Sequence, residues 1–250
     1  MAFVFLMGSR EWLLDCLSGV RKVYSVYMFN LSDYFSYHLL SATVLCALPF
    51  AASFADEAKH QFLPLMITRA GIGRYLANKL IIVAISGFAV YALGIGVAAF
   101  IQCLVGSPIP HDPSIGENLL QYGYPMTSMW GPIYGAQGEH GVRLMCTYCL
   151  YFGLQGAIWA IAGLAVSAFW PNRYVALASP LAIYLIHYTI SSLIPPPYNE
   201  FINFPINQYY QSFGSIGWLF TLGCAVIWSS LFSILFIWRA RKRILEDGLR

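Results

Sequence analysis

Four constellations in this sequence have residue types and spacings that could support chemistry. Cys146-Thr147-Tyr148-Cys149 has the spacing of a redox or zinc pair. Its thiols fall at i, i+3 on a helix entering an apolar run, with no second ligand pair nearby, so the spacing reads as packing. Glu139-His140 offers one carboxylate and one imidazole beside glycines, which is a solvated pair rather than a site. Asp56-Glu57 stands at the end of an apolar run. These carboxylates are expected to face water or to pair with Lys59 or Arg69, and a catalytic pair there would lack a pocket. His187 lies inside an apolar run, where an ionisable group is costly and faces a bundle interior or a water-filled path. It reads either as a neutral imidazole bonded to a neighbouring helix or as part of a substrate path. No GxxxxGK[ST], HExxH, GxSxG or GxGxxG motif occurs, so the chain should not hydrolyse ATP by itself and implies no metal or cofactor.

The elements that would position these groups are apolar helices. The chain has 250 residues, 58% hydrophobic and 10% charged, with mean hydropathy +0.62. Soluble domains carry about 25% charged residues, so this is an integral membrane protein, all-α and polytopic. The net charge of +3, without a basic cluster, excludes a nucleic-acid footprint. Most of the six cysteines sit in or near apolar runs, which argues against a disulfide framework. Met1–Gly8 is too short to span and lacks the basic n-region of a signal peptide. Glu11–Phe29 mixes apolar and charged residues as an interfacial helix does. Five full runs follow: Tyr37–Phe54 (interrupted by Pro49), Leu80–Val105, Leu144–Trp170, Tyr174–Leu193 and Ile216–Trp238. Gly87, Gly94 and Gly96 in the second run predict a closely packed face. Trp170-Pro171-Asn172-Arg173 predicts a tight turn between the third and fourth.

The stretch Pro49–Lys79 joins the first two runs and organises the rest. Asp56, Glu57, Lys59, His60, Arg69, Arg74 and Lys79 keep it out of hydrocarbon, yet it carries an apolar set. Phe62, Leu65 and Met66 fall at i, i+3, i+4, one helical face. Pro64 suits a helical first turn, and Gly71 and Gly73 are expected to end the helix. The segment reads as a short amphipathic helix at the membrane surface. Ten basic residues lie in this stretch, in the 170–173 turn and in the tail from Arg239; four lie in residues 9–36 and 106–143. The positive-inside rule then places this stretch and the C-terminus in the cytoplasm, and residues 9–36, 106–143 and 194–215 outside.

Pro49-Phe50-Ala51-Ala52-Ser53-Phe54-Ala55-Asp56-Glu57, then Thr68-Arg69, then Arg74-Tyr75-Leu76-Ala77-Asn78-Lys79 resembles the permeases of type-2 ABC exporters of Gram-positive bacteria. Helix order and loop sizes are similar over about residues 37–250; recognisable residues are confined to 49–79, joined by the 170–173 turn. The resemblance implies a single permease domain of six spanning helices. Its first helix would be truncated here (residues 1–36), its coupling-helix loop would occupy residues 55–79, and its cytoplasmic tail residues 239–250. Partners implied are a separate ATP-binding cassette subunit, a second permease subunit in a homo- or heterodimer, and membrane lipids. Phe62, Leu65, Met66 and Thr68 would dock on the ATPase, with Glu57, Arg69 and Arg74 completing the coupling surface. The substrate expected is a hydrophobic or amphipathic peptide, drug or lipid. Two other readings stand beside this one: a membrane-embedded enzyme using His187 or the Glu139-His140 pair, and a non-transporting immunity or sensor protein.

Overall fold

The computed structural model describes residues 43–60, 62–105, 141–195 and 217–247. Expectations for residues 1–42, 106–140, 196–216 and 248–250 lie outside the described residues, the interfacial helix, Glu139-His140 and most of the outer connections among them. The described residues are mostly helical, joined by short turns, with no strand among them. After a helical stretch at residues 43–47, six helices follow in order among the described residues: α1 Ser53–Lys59, α2 Leu63–Ala70, α3 Ile72–Val105, α4 Gly141–Phe169, α5 Arg173–Ser192 and α6 Gly217–Asp247. Four of them contain segments long and apolar enough to cross a membrane: Ile72–Val97, Phe152–Phe169, Arg173–Ser192 and Leu222–Glu246. This is the architecture of an all-α membrane-spanning protein.

Helix α4 is the axis of the bundle. Its spanning segment is 78% buried, against 22–28% for the other three, and α3, α5 and α6 each pack on it. Small residues make this possible. A Cβ on Gly156 would meet the Gly87 carbonyl oxygen at 2.4 Å, and one on Gly87 would meet the Gly156 oxygen at 2.5 Å. The α3 and α4 backbones therefore touch, as only glycine allows. On another face a Cβ at Gly163 would lie 2.9 Å from the Ala176 oxygen of α5. That carbonyl is the one Pro180 leaves without its helical donor, and it accepts from Ser179 Oγ at 3.0 Å. Of the glycines expected to mark a packed face, Gly87 does so most tightly. A Cβ on Gly96 would meet only Cys149 Sγ, at 3.7 Å. Cys149 therefore packs on α3, and no cluster of three or more metal-ligating side chains occurs among the described residues.

Three boundaries differ from the sequence reading. The run Tyr37–Phe54 is not one helix in its described part: residues 43–47 are helical, 48–52 form turns, and α1 begins at Ser53. Pro49 lacks an N–H and disfavours the helical conformation of the residue before it. Ser53 seals the break by donating both N–H and Oγ to the Phe50 carbonyl, at 3.0 and 2.5 Å. Helix α3 starts at Ile72, eight residues ahead of the apolar run, so Gly71 breaks the chain and Gly73 does not. Helix α6 continues to Asp247, because Arg, Ala, Lys, Leu and Glu after Trp238 are all strong helix formers. The turn between the third and fourth runs is as expected. Asn172, in extended conformation, caps α5 by accepting from Tyr174 N at 2.9 Å.

Candidate functional site

The connecting segment is built from α1, α2 and the first turns of α3. Pro64 occupies the first turn of α2, where its missing N–H costs nothing. Gly71 ends the helix at φ 76°, a left-handed value that side chains with a Cβ rarely adopt. Gly71 N donates to the Ile67 carbonyl at 2.8 Å, and Tyr75 N donates to the Gly71 carbonyl at 3.1 Å. One residue thus separates α2 from α3, and the direction of α2 is set by a single backbone turn.

Helix α2 is apolar on two sides. Leu63 is buried and Ile67, one turn later, packs against the core. These two hold the helix to the bundle. Phe62, Leu65 and Met66 form the other face and are 53%, 61% and 47% exposed. The structure thus brings together the three residues the spacing put on one face, and leaves them uncovered. Thr68 Oγ1 donates to the Leu65 carbonyl at 3.0 Å, so its hydroxyl is turned onto its own helix. Arg69 and Arg74 are exposed at the two sides of the Gly71 turn, and neither meets a carboxylate among the described residues.

Glu57 departs from its expected pairing. It meets neither Lys59 nor Arg69; it pairs with Lys79 Nζ at 2.5 Å and accepts a hydrogen bond from the Tyr75 hydroxyl. The Lys79 and Glu57 side chains are only 11% and 21% exposed, so the pair is shielded from water and weakly screened. Lys79 also lies over the Tyr75 ring, 5.9 Å from its centroid. The cluster ties α1 to the first two turns of α3 and closes the base of the loop that carries α2. Sequence reasoning missed it because it searched for partners close in sequence. The signal was there: Tyr75 and Lys79 stand at i, i+4 on α3, one side of a helix. Asp56 has no ionic partner among the described residues.

His187 is placed by its own helix rather than by a neighbour. Nδ1 lies 2.9 Å from the Ile183 carbonyl; a carbonyl only accepts, so this nitrogen carries the proton. Its contact with another helix is aromatic: the ring meets Trp228 of α6 edge-on, with centroids 4.7 Å apart. The imidazole is thus fixed between α5 and α6, and no carboxylate or second imidazole pairs with it among the described residues. Cys149 is half-buried, and the side chain of Cys146 lies outside the described residues. No family model matches this chain, and neither a curated protein nor a solved structure matches it.

Proposed function

We propose that the chain is the permease subunit of an ABC transporter, moving a hydrophobic or amphipathic substrate with ATP hydrolysed by a separate subunit. One observation carries the reading. Helix α2 is anchored by Leu63 and Ile67 and still presents Phe62, Leu65 and Met66 outward, with Arg69 and Arg74 beside them. A soluble face of this kind would normally be polar, and an apolar contact rimmed by exposed cations is the anatomy of a docking surface. The Glu57–Tyr75–Lys79 cluster supports the reading, because a helix that transmits force needs a stiff base. On this proposal the basic residues of the connecting segment and of the tail lie in the cytoplasm, where the ATPase is, and two permease subunits pair to enclose the path.

The test is purification of the tagged chain from its native membranes. An ATP-binding cassette subunit should co-purify in comparable amount, and Leu65→Asp should release it while leaving the chain in the membrane. Reconstituted with that subunit, the wild type should couple ATP turnover to substrate movement. A wild-type chain recovered with no such ATPase, or a Leu65→Asp chain that keeps it and couples normally, would overturn the proposal.

A further inference from the structure

The basic stretch that ends α6 divides into two faces with different work to do. Arg239 and Arg243 turn inward. Arg243 Nη1 donates to the Ala168 carbonyl at 3.3 Å, in the last turn of α4, and the Arg239 guanidinium lies 5.8 Å from the centroid of the Phe169 ring. They cap and stack on the end of the central helix, where cations are favoured by the helix dipole. Arg241 and Lys242 turn outward. With Ile234, Ile237, Trp238 and Leu245 they line an open groove of about 460 Å³ along one side of α6.

The order of these residues along the groove is chemical. Ile234, Ile237 and Trp238 are exposed at 64%, 40% and 57% in the apolar run of α6 that ends at Trp238. Trp238 stands where the apolar run ends, the usual place of a tryptophan at a bilayer interface. Arg241 and Lys242 follow within about 6 Å of axial rise, at headgroup level. Glu246 is the nearby carboxylate. It lies 3.8 Å from Lys242 Nζ and 4.0 Å from Arg239 Nη1. Arg241 has no carboxylate among the described residues. An apolar trough that ends in an exposed guanidinium and an ammonium is complementary to an acyl chain capped by an anionic phosphate. A second copy of this chain is a poor occupant, because an isologous contact would set Arg241 and Lys242 against themselves.

We propose that this groove holds a glycerophospholipid with an anionic headgroup, its phosphate on Arg241 and Lys242 and an acyl chain along Ile234 and Ile237. The site is independent of the docking surface on α2 and stands whether or not an ATPase binds there.

The experiment compares the wild type with Arg241→Gln/Lys242→Gln, in nanodiscs of phosphatidylcholine containing graded phosphatidylglycerol. Native mass spectrometry after release into detergent counts the lipids retained. A second pair, Lys59→Gln/Arg173→Gln, removes two exposed cations elsewhere. Wild type and the Lys59/Arg173 variant should keep one phosphatidylglycerol in preference to phosphatidylcholine. The Arg241/Lys242 variant should lose that preference by about tenfold, with an unchanged melting temperature in detergent, since both side chains point away from the bundle. Soluble glycerol phosphate should not displace the lipid. Equal retention by the Arg241/Lys242 variant, an equal loss in the Lys59/Arg173 variant, or displacement by glycerol phosphate would overturn the proposal. The first outcome would place any bound lipid elsewhere, the second would show general surface charge, and the third a site for free phosphate.

Discussion

At its closest contacts helix α4 meets its neighbours with glycine and alanine, whereas α2 offers phenylalanine, leucine and methionine to open space. Both are apolar, and the difference lies in size. Around α4 the small residues let backbones approach until Gly87 and Gly156 touch, and nothing further can be inserted. On α2 the large side chains divide between an inward pair that anchors and an outward trio that does not. Close-packed regions tolerate little change of volume, while an exposed apolar face tolerates change in the isolated chain and matters when something covers it. The two regions should therefore answer mutation in opposite ways: α4 through stability, α2 through association.

The largest effect is expected from Gly156→Leu. Its Cβ alone would sit within 3.1 Å of Gly87 O, Tyr91 Cβ and Cys46 Sγ, and one of the obstacles is backbone, which cannot turn aside. Overpacking of this kind costs about 3 kcal/mol or more. Size-exclusion chromatography should show loss of the monodisperse species; a Gly156→Leu chain that is as well folded as wild type would remove the close α3–α4 contact from the account. Leu65→Asp is the mirror experiment. It should leave the melting temperature of the chain alone within a degree or two, because the side chain is exposed. It should weaken the proposed ATPase docking by several kcal/mol, by burying an unpaired charge in an apolar contact. A substantial fall in chain stability with no change in docking would reverse the comparison.

A smaller effect is expected at the base of the loop that carries α2. Removing Glu57 leaves Lys79 shielded from water without its partner, at a cost of about 1–3 kcal/mol. Glu57→Leu should lower the melting temperature, and the double variant Glu57→Leu/Lys79→Met should recover part of the loss. Additive effects in that cycle would mean the pair does not act as a unit. The smallest effect is expected at Arg69→Glu. The guanidinium is exposed in the last turn of α2, where a cation suits the helix dipole, so reversal should cost about 1 kcal/mol of docking and a few tenths of a kcal/mol in the isolated chain. Its effect should shrink in high salt, while that of Leu65→Asp should not; the ionic-strength dependence of ATPase binding checks both.

The spans were legible in the sequence where apolar length and a capping signal coincide. Arg173–Ser192 is bounded by Asn172 and the adjacent proline, and Gly141–Phe169 by the same turn, and both match their runs to within three residues. The α2 face was legible because three large apolar residues at i, i+3, i+4 have one geometric reading. What escaped were features that hydropathy cannot see. Charged residues at the start of α3 and the end of α6 are good helix formers, so those helices run past the apolar boundary. Pro49 splits a run whose composition is continuous. The Glu57–Lys79 pair spans 22 positions, and such a partner is fixed by the way two helices meet, which no local pattern encodes. For His187 the expected bond to a neighbouring helix is replaced by one to its own helix, and its neighbour supplies an aromatic edge.

The Arg243 guanidinium reaches back 75 residues to a carbonyl at the end of α4. Chain synthesis runs in one direction, so during elongation the last turn of the central helix is made long before the group that completes it. Until α6 has been inserted, those terminal carbonyls must be satisfied by water or by a passing donor. The bundle therefore carries a built-in order of events, in which its axis is laid down early and closed late.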